Sequence, residues 1–240
     1  MVELSKGLVL LLMVYLVLGV HELGHLWAMR RLGVKVALLA LGAPPWIARF
    51  PWGGMEVRLG LLPLAAFVQA APGEEVRLRG FPLREQATVF LAGPLANFLG
   101  ALAGAALLGV VLGLPAFFRG VEVLLTFPLI LPGALWQFLS GSAPAEGAGF
   151  LGFLREGSQV VGLGFEGVVA LFVALNVVLG WFNLLPLLPL DGGQALWAWA
   201  RERFGERVLR LEAWILWAGV GFLLATLLVG IGYDLGVFGR

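Results

Sequence analysis

Cysteine is absent from the 240-residue sequence, so neither a disulfide nor a thiolate metal site is available to it, and nothing about its redox compartment follows. Charge is scarce as well. Only 13% of residues are Asp, Glu, Lys or Arg, against about a quarter in soluble domains, while 60% are hydrophobic. The net charge of +1 gives no general attraction to nucleic acid. Lysine occurs only as Lys6 and Lys35, and histidine only as His21 and His25. What remains is an apolar chain of a length that suits one compact bundle in a lipid bilayer.

Crossing a bilayer takes about 20 apolar residues in a helix. Four stretches qualify, at about 7–29, 87–114, 162–185 and 211–231. The first lacks the basic start and the small-residue cleavage site of a secretory signal, and it carries His and Glu, so it is read as retained. Eight basic residues, Arg30 to Arg84, fall between the first two spans, and Arg201, Arg203, Arg207 and Arg210 fall in a short loop between the last two. Positive loops stay in the cytoplasm. Both termini are therefore expected outside, in the cell membrane, with one domain covering 1–240.

The apolar stretch 121–139 would reverse every later segment if it were a fifth span. It contains Pro128 and Pro132, each of which removes an interior helix hydrogen bond. It is read as an interfacial or re-entrant element on the outer side, followed by an external loop at 141–157. In the region 53–71, alternation of apolar and charged residues from Met55 to Leu59 predicts a short β-hairpin at the membrane surface. The expected fold is thus an all-α polytopic membrane protein of about four transmembrane helices, plus a small membrane-associated β-hairpin on the cytoplasmic side.

His21 and His25 sit four residues apart in HELGH, which puts both imidazoles on one face of a helix, one turn apart. Glu22 lies between them, placed to contact a water on a metal. Zinc in such a site brings the pKa of its water towards about 7, and a neighbouring carboxylate can serve as general base. Coincidence would have to put three ionisable groups inside a span, which is costly and usually functional.

Catalytic zinc generally has three protein ligands and an open position, so one Zn2+ per chain needs an Asp or Glu beside the two histidines. The first and third spans run the same way, which brings Asp191 to the depth of HELGH. Glu122, Glu166 and Asp234 fall on the outer side, while Glu56, Glu74, Glu75, Glu85, Glu202, Glu206 and Glu212 lie in polar inner segments. Pro186 and Pro189 stop the helix before Asp191, while Gly192 and Gly193 permit a turn after it. Two readings stay open for Asn97: a hydrogen bond to a substrate carbonyl or tetrahedral intermediate, or interhelical glue. Asn183 braces the Asp191 segment or contacts an extended substrate, and Asn176 is read as packing glue.

HELGH in the first span, AGPLANF in the second and NLLPLLPLDGG ending the third resemble the site-2 protease family of intramembrane zinc metallopeptidases, in its bacterial form. The second proline of the last motif falls at Pro189, one position later than in the family pattern. GLLPLAAFV is similar to the family's membrane-associated hairpin, which is thought to present an edge to an unfolded substrate strand. The resemblance implies cleavage of transmembrane protein substrates, often an anti-sigma factor or a signal-peptide remnant, after a first cut elsewhere. About 45 residues separate the second and third spans, too few for the PDZ domain that many bacterial relatives carry there. Two other classes compete: a non-catalytic metal-binding membrane protein (a metal transporter, or an inactive relative that binds transmembrane partners), and another metallopeptidase with a glutamate as third ligand.

Overall fold

The computed structural model of the protein describes residues 2–144 and 149–238. In chain order the elements are α1 (Val2–Arg31), β1 (Val36–Trp52), β2 (Met55–Ala70), α2 (Glu74–Arg79), α3 (Leu83–Leu112), α4 (Leu114–Leu139), α5 (Gly149–Val161), α6 (Phe165–Asn183), α7 (Asp191–Phe204) and α8 (Glu206–Asp234). Among the described residues, five helices are long and apolar enough to cross a membrane: α1, α3, α4, α6 and α8. The protein is a mostly helical polytopic membrane protein with one small sheet.

The centre of the bundle is α1, α3 and α6. Alanines and glycines let these helices approach closely: a Cβ on Gly24 of α1 would run into the backbone of Ala92 in α3, and one on Gly104 of α3 would meet Val173 of α6. Contacts of Gly24 with Ala92 and of Val20 with Gly100 make α1 and α3 antiparallel. Gly104 beside Val173 and Phe98 beside Gly180 make α3 and α6 antiparallel too. Helices α1 and α6 therefore run in the same sense, with Leu10 and Met13 packed in one cluster with Leu171.

Four expectations need correction. First, 121–139, expected as an interfacial or re-entrant element, is most of one continuous helix, α4, which starts immediately after α3 at Gly113. Both prolines sit inside it. Pro128 cannot donate to the Leu124 carbonyl, and the indole Nε1–H of Trp181 on α6 takes that place at 2.9 Å. A neighbouring helix thus satisfies the freed backbone group, the means by which proline is tolerated in apolar surroundings. Second, 149–157 of the expected outer loop belongs to a helix, α5; 145–148 lie outside the described residues. Helix α5 begins where Asp234 of α8 accepts the N–H groups of Phe150 and Leu151, at 2.9 and 2.8 Å, and its end at Gly162 lies beside Lys6 of α1. A long α4 therefore does not pull the site apart, because α5 returns the chain to the end of the bundle where α1 starts. Third, the arginine-rich stretch 201–210 is not a loop, since it ends α7 and begins α8.

Fourth, the hairpin is larger than 53–71. Strand β1 begins at Val36, and the two strands, each bent, fold into one sheet. Residues 46–52 pair with 55–60, residues 38–41 lie beside 56–59, and 38–41 also pair antiparallel with 66–69. The segment 66–70 is therefore an edge. The N–H of Ala71, just beyond it, donates to the Lys35 carbonyl at 2.8 Å.

Candidate metal centre

HELGH occupies the last third of α1, where the helix packs on α3. His21 and Glu22 are buried, each with 5% of its surface exposed. The second helix leaves room for the two rings only because position 93 is glycine: a Cβ there would collide with His25 Nε2 and with the Cε1 atoms of both histidines. Helix α6 ends at Asn183, and the proline-containing link to α7 brings Asp191 to the first position of that helix. Gly192 and Gly193 each lie against this link so closely that a side chain would strike the backbone of Leu184 or Leu187.

His21 Nε2 lies 3.1 Å from His25 Nε2, and the Asp191 Oδ2 atom lies 3.1 Å from the first and 3.3 Å from the second. Tetrahedral zinc with bonds of about 2.0–2.1 Å separates its ligand atoms by about 3.3 Å. The triangle fits that spacing. Oδ2 of Asp191 is a buried oxygen with no hydrogen-bond donor, an arrangement that costs free energy unless a cation completes it. Among the described residues, these three side chains form a group able to hold a metal ion.

The other ring nitrogens are held from behind. His25 Nδ1 lies 2.8 Å from the Val89 carbonyl oxygen, which can only accept, so Nδ1 carries the proton and Nε2 is left with its lone pair free. His21 Nδ1 lies 2.6 Å from Asn97 Oδ1. The structure thus puts Asn97 behind His21, fully buried, with its amide nitrogen donating to Asn176 Oδ1 at 2.9 Å and towards the Val17 carbonyl at 3.4 Å. Asn183 is on the other side of the centre, lining the cavity, with its amide nitrogen turned back to the Leu179 carbonyl at 3.0 Å.

That cavity has a volume of ≈ 610 Å³. Its floor is His21, Glu22, His25 and Asp191, and its opposite wall is the edge segment 66–70. The backbone N–H of Val68 faces the Glu22 carboxylate. Two contributions had no signal that sequence reasoning could use for a role: the Val89 carbonyl, which involves no side chain, and the edge position of 66–70, which depends on β1. Asn176 did carry one, as a polar residue in mid-span.

The family model for peptidase family M50 matches residues 9–228. The chain is 33% identical over 94 residues to the regulator of sigma E protease of Haemophilus influenzae, a match covering 35% of this chain and 21% of that protein. It is 33% identical over 97 residues to protease RseP of Yersinia pestis, covering 36% and 22%, and 34% identical over 93 residues to regulator of sigma-E protease RseP of Salmonella typhimurium, covering 35% and 21%. These matches span about a fifth of the length of each relative.

Proposed function

This chain belongs to peptidase family M50, the site-2 protease family, and we propose that it is an intramembrane zinc endopeptidase in which His21, His25 and Asp191 hold one zinc ion and Glu22 is the general base. The observation that carries this reading is the convergence of three ligand atoms from α1 and α7, at separations of 3.1–3.3 Å, on the floor of a cavity that Glu22 also lines. The donor set of two imidazoles and one carboxylate suits zinc, which would supply a Lewis acid that acidifies water and polarises a carbonyl. The chain's own groups do the rest. Glu22 takes the proton from the attacking water and passes it to the leaving amine. Gly93 and the supports of the two rings keep the imidazoles in place. The edge segment 66–70 binds an unwound stretch of substrate as an added strand, which frees the scissile carbonyl from helix hydrogen bonds.

The substrate class is a transmembrane protein segment, in keeping with a site at the end of a span and with a cavity whose strand edge suits extended backbone. The names of the relatives point to sigma-factor regulation in their own organisms, and an anti-sigma factor or a signal-peptide remnant is the substrate proposed here. The basic residues of 30–84 put the site towards the cytoplasmic side of the membrane, with both termini outside.

Zinc analysis paired with cleavage of a model transmembrane peptide tests the reading. Glu22→Gln is expected to keep about one zinc per chain and to lose at least ~100-fold in cleavage, since general base catalysis contributes roughly 10²–10⁴-fold. Asp191→Ala is expected to lose zinc itself. Full cleavage by Glu22→Gln, or unchanged zinc in Asp191→Ala, would overturn the assignment.

A further inference from the structure

A chain of side-chain amides runs away from the metal centre, into the dry middle of the bundle. Phe172 lies on α6, and its carbonyl oxygen can only accept. It receives the amide nitrogen of Asn176 at 2.8 Å. This leaves Asn176 Oδ1 pointing at α3, where it can only accept, and it receives Asn97 Nδ2 at 2.9 Å. The Val17 carbonyl, also an obligate acceptor, lies 3.4 Å from the same nitrogen. Asn97 Oδ1 must then face His21 Nδ1, at 2.6 Å. Each step follows from the inventory of donors and acceptors. The amide groups of Asn97 and Asn176 have no exposure, so water cannot substitute for either.

We infer that Asn176 is a positioning residue that acts through Asn97 to keep the proton of His21 on Nδ1 and its Nε2 free as a metal ligand. This inference rests on the zinc reading above. The alternative orientation of Asn97 would turn its amide nitrogen to His21 Nδ1 and transfer the ring proton to Nε2, where it would point at His25 Nε2 and Asp191. In the native chain that flip would bring Asn97 Oδ1 against two acceptors, Asn176 Oδ1 and the Val17 carbonyl. Without Asn176 only the more distant Val17 carbonyl opposes it. His25 needs no such relay, because a backbone carbonyl cannot flip. Position 100 keeps the relay close: a Cβ on Gly100 would press on Asn176 Oδ1 at 3.0 Å.

The chain has only two histidines, so 15N labelling of histidine yields four ring nitrogens and reads the relay directly. The experiment uses the full chain in lipid nanodiscs, stripped of metal by chelation, at a pH that keeps both rings neutral. Both rings of the parent are expected in the Nδ1–H form. In Asn176→Leu, one ring is expected to populate the Nε2–H form while the other is unchanged, and competition with a chromophoric chelator is expected to find zinc bound ~10-fold more weakly, the lower end of what outer-shell partners of metal ligands contribute. Asn97→Asp presents an oxygen to His21 in either orientation, so the double variant Asn97→Asp with Asn176→Leu is expected to restore the Nδ1–H ring and the zinc affinity. Unchanged rings and zinc affinity in Asn176→Leu would overturn the inference. So would changes in both rings together, or a double variant as impaired as Asn176→Leu, because either would make Asn176 a packing residue. A parent that binds no zinc would overturn the zinc reading instead, while the ring spectra of the metal-free protein would still decide the relay.

Discussion

On the side of the cavity formed by α1, α3 and α6, Asn97 and Asn176 have no exposure and the ring nitrogens facing away from the cavity each meet a fixed partner. On the opposite side, segment 66–70 pairs with β1 along one flank only. Alternation along a strand, together with the inward N–H of Ala71, turns the N–H groups of Phe67 and Gln69 towards β1 and those of Ala66, Val68 and Ala70 towards the cavity. One wall is closed and fully paired; the other turns backbone donors that the sheet does not use towards the cavity, that of Val68 facing the Glu22 carboxylate. On the proposed function the difference suits them to different work. Metal ligands need fixed rings, and fixed rings need a wall with no alternative arrangement, whereas a site that accepts many sequences does best to bind backbone.

The largest expected effect comes from disturbing the closed wall where it has no slack. Gly93→Ala puts a methyl group into the space of both imidazoles. Zinc affinity is expected to fall by roughly 100-fold, the upper end of what outer-shell changes cause, and cleavage is expected to fall with it. Metal analysis of the purified variant checks this; native zinc content in Gly93→Ala would mean that the wall yields and that the comparison is wrong.

A smaller and more selective effect is expected on the open wall. Val68→Pro removes an N–H that the sheet does not use, and proline is tolerated on a free strand edge. Zinc content and thermal stability are expected to stay near the parent values while cleavage of a transmembrane peptide drops about tenfold, the cost of one net hydrogen bond of about 1.4 kcal/mol. Phe67→Pro removes a ladder bond instead, and a lower melting temperature is expected from it. If the two prolines behave alike, the edge is not a docking strand.

The same contrast explains what could be read from the sequence. The approach of Asp191 to HELGH was legible because helical spacing and a shared direction of two spans are local or additive properties. Asn97 and Asn176 stand out as polar residues in spans, but their partners come from other helices, 76 and 79 residues away, so spacing could not choose between a substrate contact and a support for His21. Strand β1 was missed because VALLALGAPPWIARFPW combines prolines with an apolar run, and no two-residue alternation marks the part that lies inside the sheet. Helix α4 was misjudged for a related reason: proline counts against a helix only while the carbonyl it frees has no other donor, and that donor is an indole 57 residues further along.

The smallest expected effect marks where the closed wall ends. Trp181 lies near the end of α6, and its indole donates to the Leu124 carbonyl that Pro128 leaves free. Trp181→Phe keeps most of the ring and removes that donor, so the carbonyl becomes unsatisfied in apolar surroundings. Tertiary hydrogen bonds inside membrane proteins contribute on average about 0.6 kcal/mol and up to ~1.7 kcal/mol, which sets the expected loss of stability. Zinc content is expected to be unchanged, because neither α4 nor Trp181 touches the relay behind His21. Adding Pro128→Ala supplies a backbone N–H to the same carbonyl and is expected to recover much of the loss, as read by thermal unfolding in detergent. In the parent, Pro128→Ala brings a second donor to a carbonyl that already has one, so it is expected to stabilise less there than in Trp181→Phe. Equal gains in both backgrounds would sink this account of α4, since they would mean that the indole does nothing for the carbonyl that proline exposes.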